Sequence, residues 1–145
     1  MNTIYNEYPI KARDFIHAGE GSIKIKNTLK SMGFKSDIVK RVALCAYESE
    51  MNVVMHGGEG KLSMTVDESG VIIEVKDDGP GIGDISLALT EGYSTAPERY
   101  REMGFGAGMG LPNIVKNSDS IEIYSEKDKG TYLTMSFWLD QEKEI

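Results

Sequence analysis

Three polar side chains at four-residue spacing raise the question of chemistry in this chain: Glu48, Asn52 and His56. On a helix, positions i, i+4 and i+8 drift by only about 80° in all, so the three lie along one line. Ile38, Val42, Cys45, Ala46 and Val53 flank that line on one side, and Leu44, Met51 and Met55 on the other. Glu48 and Asn52 therefore fall between two apolar stripes. A carboxylate there needs a partner, because burying an unpaired charge is costly. Carboxylate and amide oxygens suit Mg2+, which takes one or two protein ligands and fills its shell with phosphate oxygens and water. The plain alternative is a surface helix with a solvated Glu and Asn. Glu50 falls well away from the line and is read as an ordinary surface charge.

A second cluster is "KDDGPGI", residues 76–82, directly after an expected strand. Asp77 closes that strand and faces a pocket, while Gly79 and Gly81 let a flat ligand approach the backbone. A tight turn with no ligand explains the same residues, since Gly and Pro punctuate turns generally. The third cluster is "GFGAGMGLPNI", with glycines at 104, 106, 108 and 110. Glycines before a helix N-terminus leave backbone N–H groups free to point at an anion, and the helix dipole adds to the attraction. The string is not a Walker-type loop, and it misses the dinucleotide fingerprint G-x-G-x-x-G by one position. A loop without a ligand is again the alternative.

The elements that must position these clusters are legible in outline. "YNEYPI" reads as a first strand, at an edge because of Pro9. "GEGSIKIKNTLKSMGF" reads as a short helix capped by Ser22 and stopped by Gly33. "SDIVKRVALCAYESEMNVVMHGG" reads as a long helix, capped by Ser36 or Asp37 and ended by Gly57 and Gly58. Residues 61–66 and 71–76 form a hairpin through "DESG". "DISLALTEG" reads as a short helix, followed by a long polar, glycine-rich segment. "GLPNIVKNS" reads as a helix with Pro112 in its first turn, where proline is tolerated. A last hairpin turns at "DKG". Strands and helices are partly segregated, which predicts an α+β fold, a two-layer α/β sandwich with a mixed, mostly antiparallel sheet and helices on one face.

Composition narrows the function classes. The chain of 145 residues suits one domain, read as residues 1–145, and 40% of it is apolar. Its net charge of −7 argues against a general nucleic-acid binder, which needs a basic surface. A nucleotide ligand stays open, because local cations and backbone amides suffice to hold phosphates. Cys45 is the one cysteine, read as a buried, inert thiol. Neither a membrane-spanning run nor a signal peptide is expected, so the default location is cytoplasmic and no membrane partner is expected.

Taken in order, the clusters resemble the GHKL superfamily of ATP-binding domains (gyrase, heat-shock chaperone, histidine kinase and MutL). "E-x-x-x-N-x-x-x-H" from Glu48 is similar to its N-box, "D-D-G-P-G-I" ending at Ile82 to its first glycine box, and "G-M-G-L" from Gly108 through Met109 and Gly110 to Leu111 to its second. "KGT", residues 129–131, is similar to its late Gly-Thr near the adenine. The likeness is strongest to bacterial anti-sigma factor serine kinases, through "EGYSTAPERYREMGFGAGMGLPNI". The resemblance implies a histidine-kinase-like (Bergerat) fold, with ATP and Mg2+ as cofactors. It implies that Glu48 is the base or orienter for the attacking hydroxyl and that Asn52 holds the metal. Asp77 would accept from the adenine amino group, with Gly79, Gly81 and Ile82 beside the base. Gly108, Met109, Gly110 and Leu111 would form the phosphate loop, and Arg101, less directly Arg99, would meet the γ-phosphate. Thr131 would lie near the adenine. The segment "EMGFGA" between Arg101 and Gly108 is longer than the usual spacing in those kinases, and Gly104 and Gly106 are read as hinges of a lid.

The expected function is an anti-sigma-type serine/threonine kinase that phosphorylates a small protein partner and controls transcription by partner switching. A sigma factor or an antagonist-like protein is the expected partner. A homodimer is a further candidate, with Tyr5, Tyr8, Met32 and Met103 as interface residues. The alternative is a nucleotide-sensing module that binds ATP or ADP without transferring phosphate. A sensor histidine kinase fits less well, because there is no second long helix to bear a phospho-accepting histidine. A gyrase- or MutL-like ATPase would need a following transducer domain.

Overall fold

A computed structural model describes residues 3–56, 58–82 and 110–139. In chain order the described elements are β1 (Ile4–Ile10), α1 (Glu20–Ser31), α2 (Ser36–His56), β2 (Gly60–Asp67), β3 (Gly70–Asp77), α3 (Gly110–Asn117), β4 (Ser120–Glu126) and β5 (Gly130–Trp138). The expected helix at "DISLALTEG" lies outside the described residues. The strands form a five-stranded sheet in the order β1-β2-β3-β5-β4. Every pairing among them is antiparallel, so the expected parallel admixture is absent from the described strands. Pro9 sits in β1 at the sheet edge, where proline is tolerated.

Alternation along the strands produces one apolar face. Leu62, Met64 and Val66 in β2, Val71, Ile73 and Val75 in β3, and Leu133, Met135 and Phe137 in β5 are all buried. The helices cover that face. Ile38, Val39, Val42, Cys45, Ala46, Val53 and Val54 bring α2 onto it, flanked by Ile25 and Leu29 of α1 and by Leu111 and Ile114 of α3. Cys45 is buried as expected, and loss of solvation pushes its thiol up to about 12, so it stays protonated. The turns follow local chemistry. Asp67 accepts from the Ser69 amide at 2.8 Å and from its hydroxyl at 2.6 Å at the first hairpin. Tyr8 and Met32, read as surface candidates for a homodimer, are instead partly buried against the core, whereas Tyr5 is exposed. No helix among the described residues is long and apolar enough to cross a membrane.

Two expectations are corrected by one side chain. Glu50 is not a surface charge: it is buried, with 4% of its area exposed. Its carboxylate accepts from the Gly19 amide at 2.9 Å, the Ser22 amide at 3.1 Å and the Ser22 hydroxyl at 2.6 Å. Ser22 therefore does not cap α1. The cap position is Gly19, which has no side chain, and the free amides of the first turn are taken by a carboxylate from α2. The placement is physically reasonable because three donors and the helix dipole replace the water that Glu50 has lost.

Glu50→Ala leaves those donors buried without an acceptor. The expected result is a loss of roughly 2–4 kcal/mol of unfolding free energy in urea titration. A loss within about 0.5 kcal/mol, the usual range for surface substitutions, would show that Glu50 does not fasten α1 to α2.

Candidate functional site

The apolar rows of the sheet end in a polar one. Gly60 of β2 is the partner of Asp77 in β3, Asp77 of Thr131 in β5, and Thr131 of Ser125 in β4. Residues directly opposite one another share a face, so this row continues the helix-covered side just beyond Leu62, Val75 and Leu133. His56, the last residue of α2, reaches the same rim. Burial lowers its pKa while the nearby Asp77 raises it.

Asp77 is half-buried. Loss of solvation pushes its carboxyl above the usual range, while the Gly79 amide, which donates to it at 2.8 Å, pulls the other way. Asp78 adds an upward push, and His56 and the Thr131 amide oppose it. The following loop is tied on both sides. Asp78 accepts from the Glu59 amide at 2.7 Å and gives its own amide to the Glu59 carbonyl at 3.1 Å. The Asp128 amide donates to the Pro80 carbonyl at 2.9 Å, and the Ile82 amide donates to Ser125 Oγ at 2.6 Å. Gly79 is buried in this loop, while Gly81 and Ile82 are part-exposed. Gly130, with φ +105°, passes directly over the Asp77 carbonyl, where a Cβ has no room.

Glu48 and Asn52 lie one turn apart on α2 and meet the first residue of α3. A Cβ on Gly110 would stand 3.3 Å from Asn52 Oδ1 and 3.4 Å from Glu48 Oε2. Glycine thus lets the N-terminus of α3, whose first-turn amides have no intrahelical partners, close on both side chains. Glu48 is half-buried, and desolvation raises its pKa, opposed by a hydrogen bond from the Asn113 side chain. Asn113 was not singled out from sequence. It lies three residues after Gly110, hence on the same side of α3, but only the packing of α3 on α2 shows that it meets Glu48. Leu111 is 8% exposed and belongs to the core.

Arg41, two turns before Glu48, holds the other end of α3. Its Nε donates to the Asn117 carbonyl at 3.0 Å, and its Nη2 lies 3.1 Å from Asp119 Oδ1. A cation at the carbonyl end suits the helix dipole. Side chains of α2 therefore meet α3 at both ends.

The structure brings together Glu48, Asn52 and Gly110 at one end, and Asp77, Gly79, Gly81, Ile82 and Thr131 at the other. Arg99, Arg101, Gly104, Gly106, Gly108 and Met109 lie outside the described residues. Among the described residues no group of three or more His, Cys, Asp and Glu is arranged to hold a metal. A cation beside Asn52 would meet the Asn52 amide oxygen and the Glu48 carboxyl, an oxygen donor set that fits Mg2+ with phosphate and water filling the shell.

The chain is similar to several known proteins. Residues 12–143 match the family of histidine kinase-, DNA gyrase B- and HSP90-like ATPases. The serine/threonine-protein kinase RsbT of Bacillus subtilis is 27% identical over 118 residues, covering 79% of this chain and 83% of that protein. An anti-sigma F factor of Clostridium kluyveri is 33% identical over 104 residues, covering 68% and 70%. The fold is similar to that in the crystal structure of the SiaB-SiaC complex from Pseudomonas aeruginosa, with a TM-score of 0.66 at 14% identity, covering 91% of this chain and 88% of that one. Because the family match spans residues 12–143 of the 145, the chain belongs to the histidine kinase-, DNA gyrase B- and HSP90-like ATPase family.

Proposed function

We propose that this chain is an ATP- and Mg2+-dependent serine/threonine protein kinase of the anti-sigma type, with residues 1–145 acting as one domain in the cytoplasm. Its substrate would be a small antagonist-like protein, and phosphorylation would switch partners in transcription control. The observation that carries the reading is the half-buried Glu48 carboxyl, raised by desolvation, beside Asn52 and the N-terminus of α3. The names of the relatives, a serine/threonine kinase and anti-sigma F factors, support it.

In this reading the partner's hydroxyl oxygen forms a bond to the γ-phosphorus, the bond from that phosphorus to the bridging oxygen breaks, and ADP leaves. Glu48 takes the hydroxyl proton. A carboxylate raised towards the working pH is a better base than an ordinary one. Asn52 would hold Mg2+ through its amide oxygen, and the ion would supply charge neutralisation of the phosphates. The α3 amides, opened by Gly110, would receive phosphate oxygens, and Gly108 and Met109 are assigned to the same phosphate loop by the family resemblance. Arg101 meets the γ-phosphate. Asp77 accepts from the adenine amino group, with Gly79, Gly81, Ile82 and Thr131 around the base. A second copy of the chain remains a candidate partner through exposed Tyr5.

Labelled ATP with Mg2+ and the candidate partner distinguishes this kinase from a nucleotide-sensing module, which binds but transfers nothing. Glu48→Ala is expected to bind ATP and to lose transfer by roughly 10²–10⁴-fold, the usual worth of a general base. Transfer at the wild-type rate would remove Glu48 from that role. Asp77→Asn is expected to weaken ATP binding by about tenfold in equilibrium titration, since it loses a charge-assisted acceptor. Unchanged affinity would place the base elsewhere.

The acid side of the rate profile follows from the same carboxyl. Transfer should fall as pH drops through the Glu48 pKa, which desolvation holds above the ordinary carboxylate range. The Asn113 hydrogen bond lowers that pKa, so Asn113→Ala should move the acid limb of kcat/KM to higher pH. A limb that stays in place or moves down would contradict the contact.

A further inference from the structure

Ser125 has no part in the reading above, yet its hydroxyl occupies the centre of the base end. It is the strand partner of Thr131, which is in turn the partner of Asp77, so the three side chains share one face in one row. Ser125 Oγ lies 2.6 Å from the Ile82 amide, 3.0 Å from Thr131 Oγ1 and 3.3 Å from the Gly130 carbonyl oxygen. The amide can only donate and the carbonyl can only accept. A serine hydroxyl has one hydrogen and two lone pairs. The Ile82 amide takes one lone pair, and the Gly130 carbonyl takes the hydrogen. The remaining lone pair can bond only to the hydrogen of Thr131. This arrangement uses every donor and acceptor of Ser125, whereas the reverse direction leaves the Gly130 carbonyl without the Ser125 donor. Thr131 then has only lone pairs left to offer a ligand.

We propose that Ser125 is a positioning residue that makes Thr131 a hydrogen-bond acceptor at the base end of the site and thereby helps select a purine carrying an amino group at position 6. The inference rests on the nucleotide reading above. An ionised Asp77 also only accepts, so the two residues present a pair of acceptors on one face. A 6-amino group has two hydrogens and satisfies both. A purine without that group leaves both unpaired, and the cost of buried polar groups left unpaired is a source of discrimination.

The test compares ATP with the purine ribonucleoside triphosphate that lacks any 6-substituent, by equilibrium titration of the full chain. The wild type should favour ATP. Ser125→Ala should cut that preference by about five- to tenfold, the worth of one hydrogen bond. Ser125→Thr should keep it, and Thr131→Val should lose as much as Ser125→Ala, with the double variant losing no more. A purely structural role would weaken both nucleotides equally and leave the ratio unchanged, and that result, in a folded Ser125→Ala protein, overturns the assignment. Should Ser125→Ala fail to fold, Thr131→Val decides: a full wild-type preference in that variant overturns it as well. A wild type that binds neither triphosphate brings down the nucleotide reading itself. A wild type that prefers ATP, with an unchanged ratio in Ser125→Ala, removes only the role of Ser125.

Discussion

The α2 helix holds its neighbours by the ends of their backbones, and the site depends on that. Glu50 takes the free amides at the start of α1, and Arg41 takes a carbonyl at the end of α3. On the same helix, Glu48 and Asn52 stand against the first residue of α3. Apolar packing of α2 on the sheet is non-directional and would tolerate a helix that slides or turns. Hydrogen bonds to helix ends do not, because the amides and carbonyls point along the axis. The same helix therefore supplies the core, the clamps and the candidate base.

The location of the polar groups follows from where the apolar rows stop. Leu62, Val75 and Leu133 are the last buried residues before the rim of Gly60, Asp77, Thr131 and Ser125. At that rim the groups are near enough to the core to lose water and far enough out to meet a ligand. Glu48 and Asp77 both have raised pKa values and His56 a lowered one, each with desolvation as the leading cause. All three are thus pushed towards their neutral forms. A bound cation or a hydrogen-bonding ligand would reverse that pressure on the carboxylates, which would link binding to ionisation at both ends of the candidate site.

What was legible in the sequence was what local period and turn chemistry encode. The two hairpins, the edge strand with Pro9, the stop at Gly33 and the line of Glu48, Asn52 and His56 all depend on residues close in sequence. Glu50 was misread for a matching reason. It lies off that line, and its burial depends on α1 arriving with open amides at Gly19, an event of tertiary structure. Ser22 looked like a cap because it precedes an apolar helix, whereas its hydroxyl donates to Glu50. Asn113, Arg41 and Ser125 were invisible for the same cause. Their partners lie 65, 76 and 43 positions away, counted from Asn113 to Glu48, Arg41 to Asn117 and Ser125 to Ile82. The insertion of β5 between β3 and β4, which sets the rim row, has no local signal either.

The two ends of the site differ in how they are built. At the Asp77 end, the loop of residues 78–82 is stitched to the turn before β2 and to the hairpin of β4 and β5, through Asp78, Pro80 and Ile82. Its amides and carboxylates are already oriented, so a ligand there would face little ordering cost. At the other end, α3 is placed by Arg41 and Asn113, and Gly110 lets it approach until a side chain would press on Asn52 and Glu48. Close approach carries a consequence for charge. Helix amides favour an anion at the place where Glu48 already presents a carboxyl, and two anions there would repel unless a cation joins them. Among the described residues, the α3 amides would suit an anion, and the Glu48 carboxyl and the Asn52 amide oxygen would suit the cation that must accompany it.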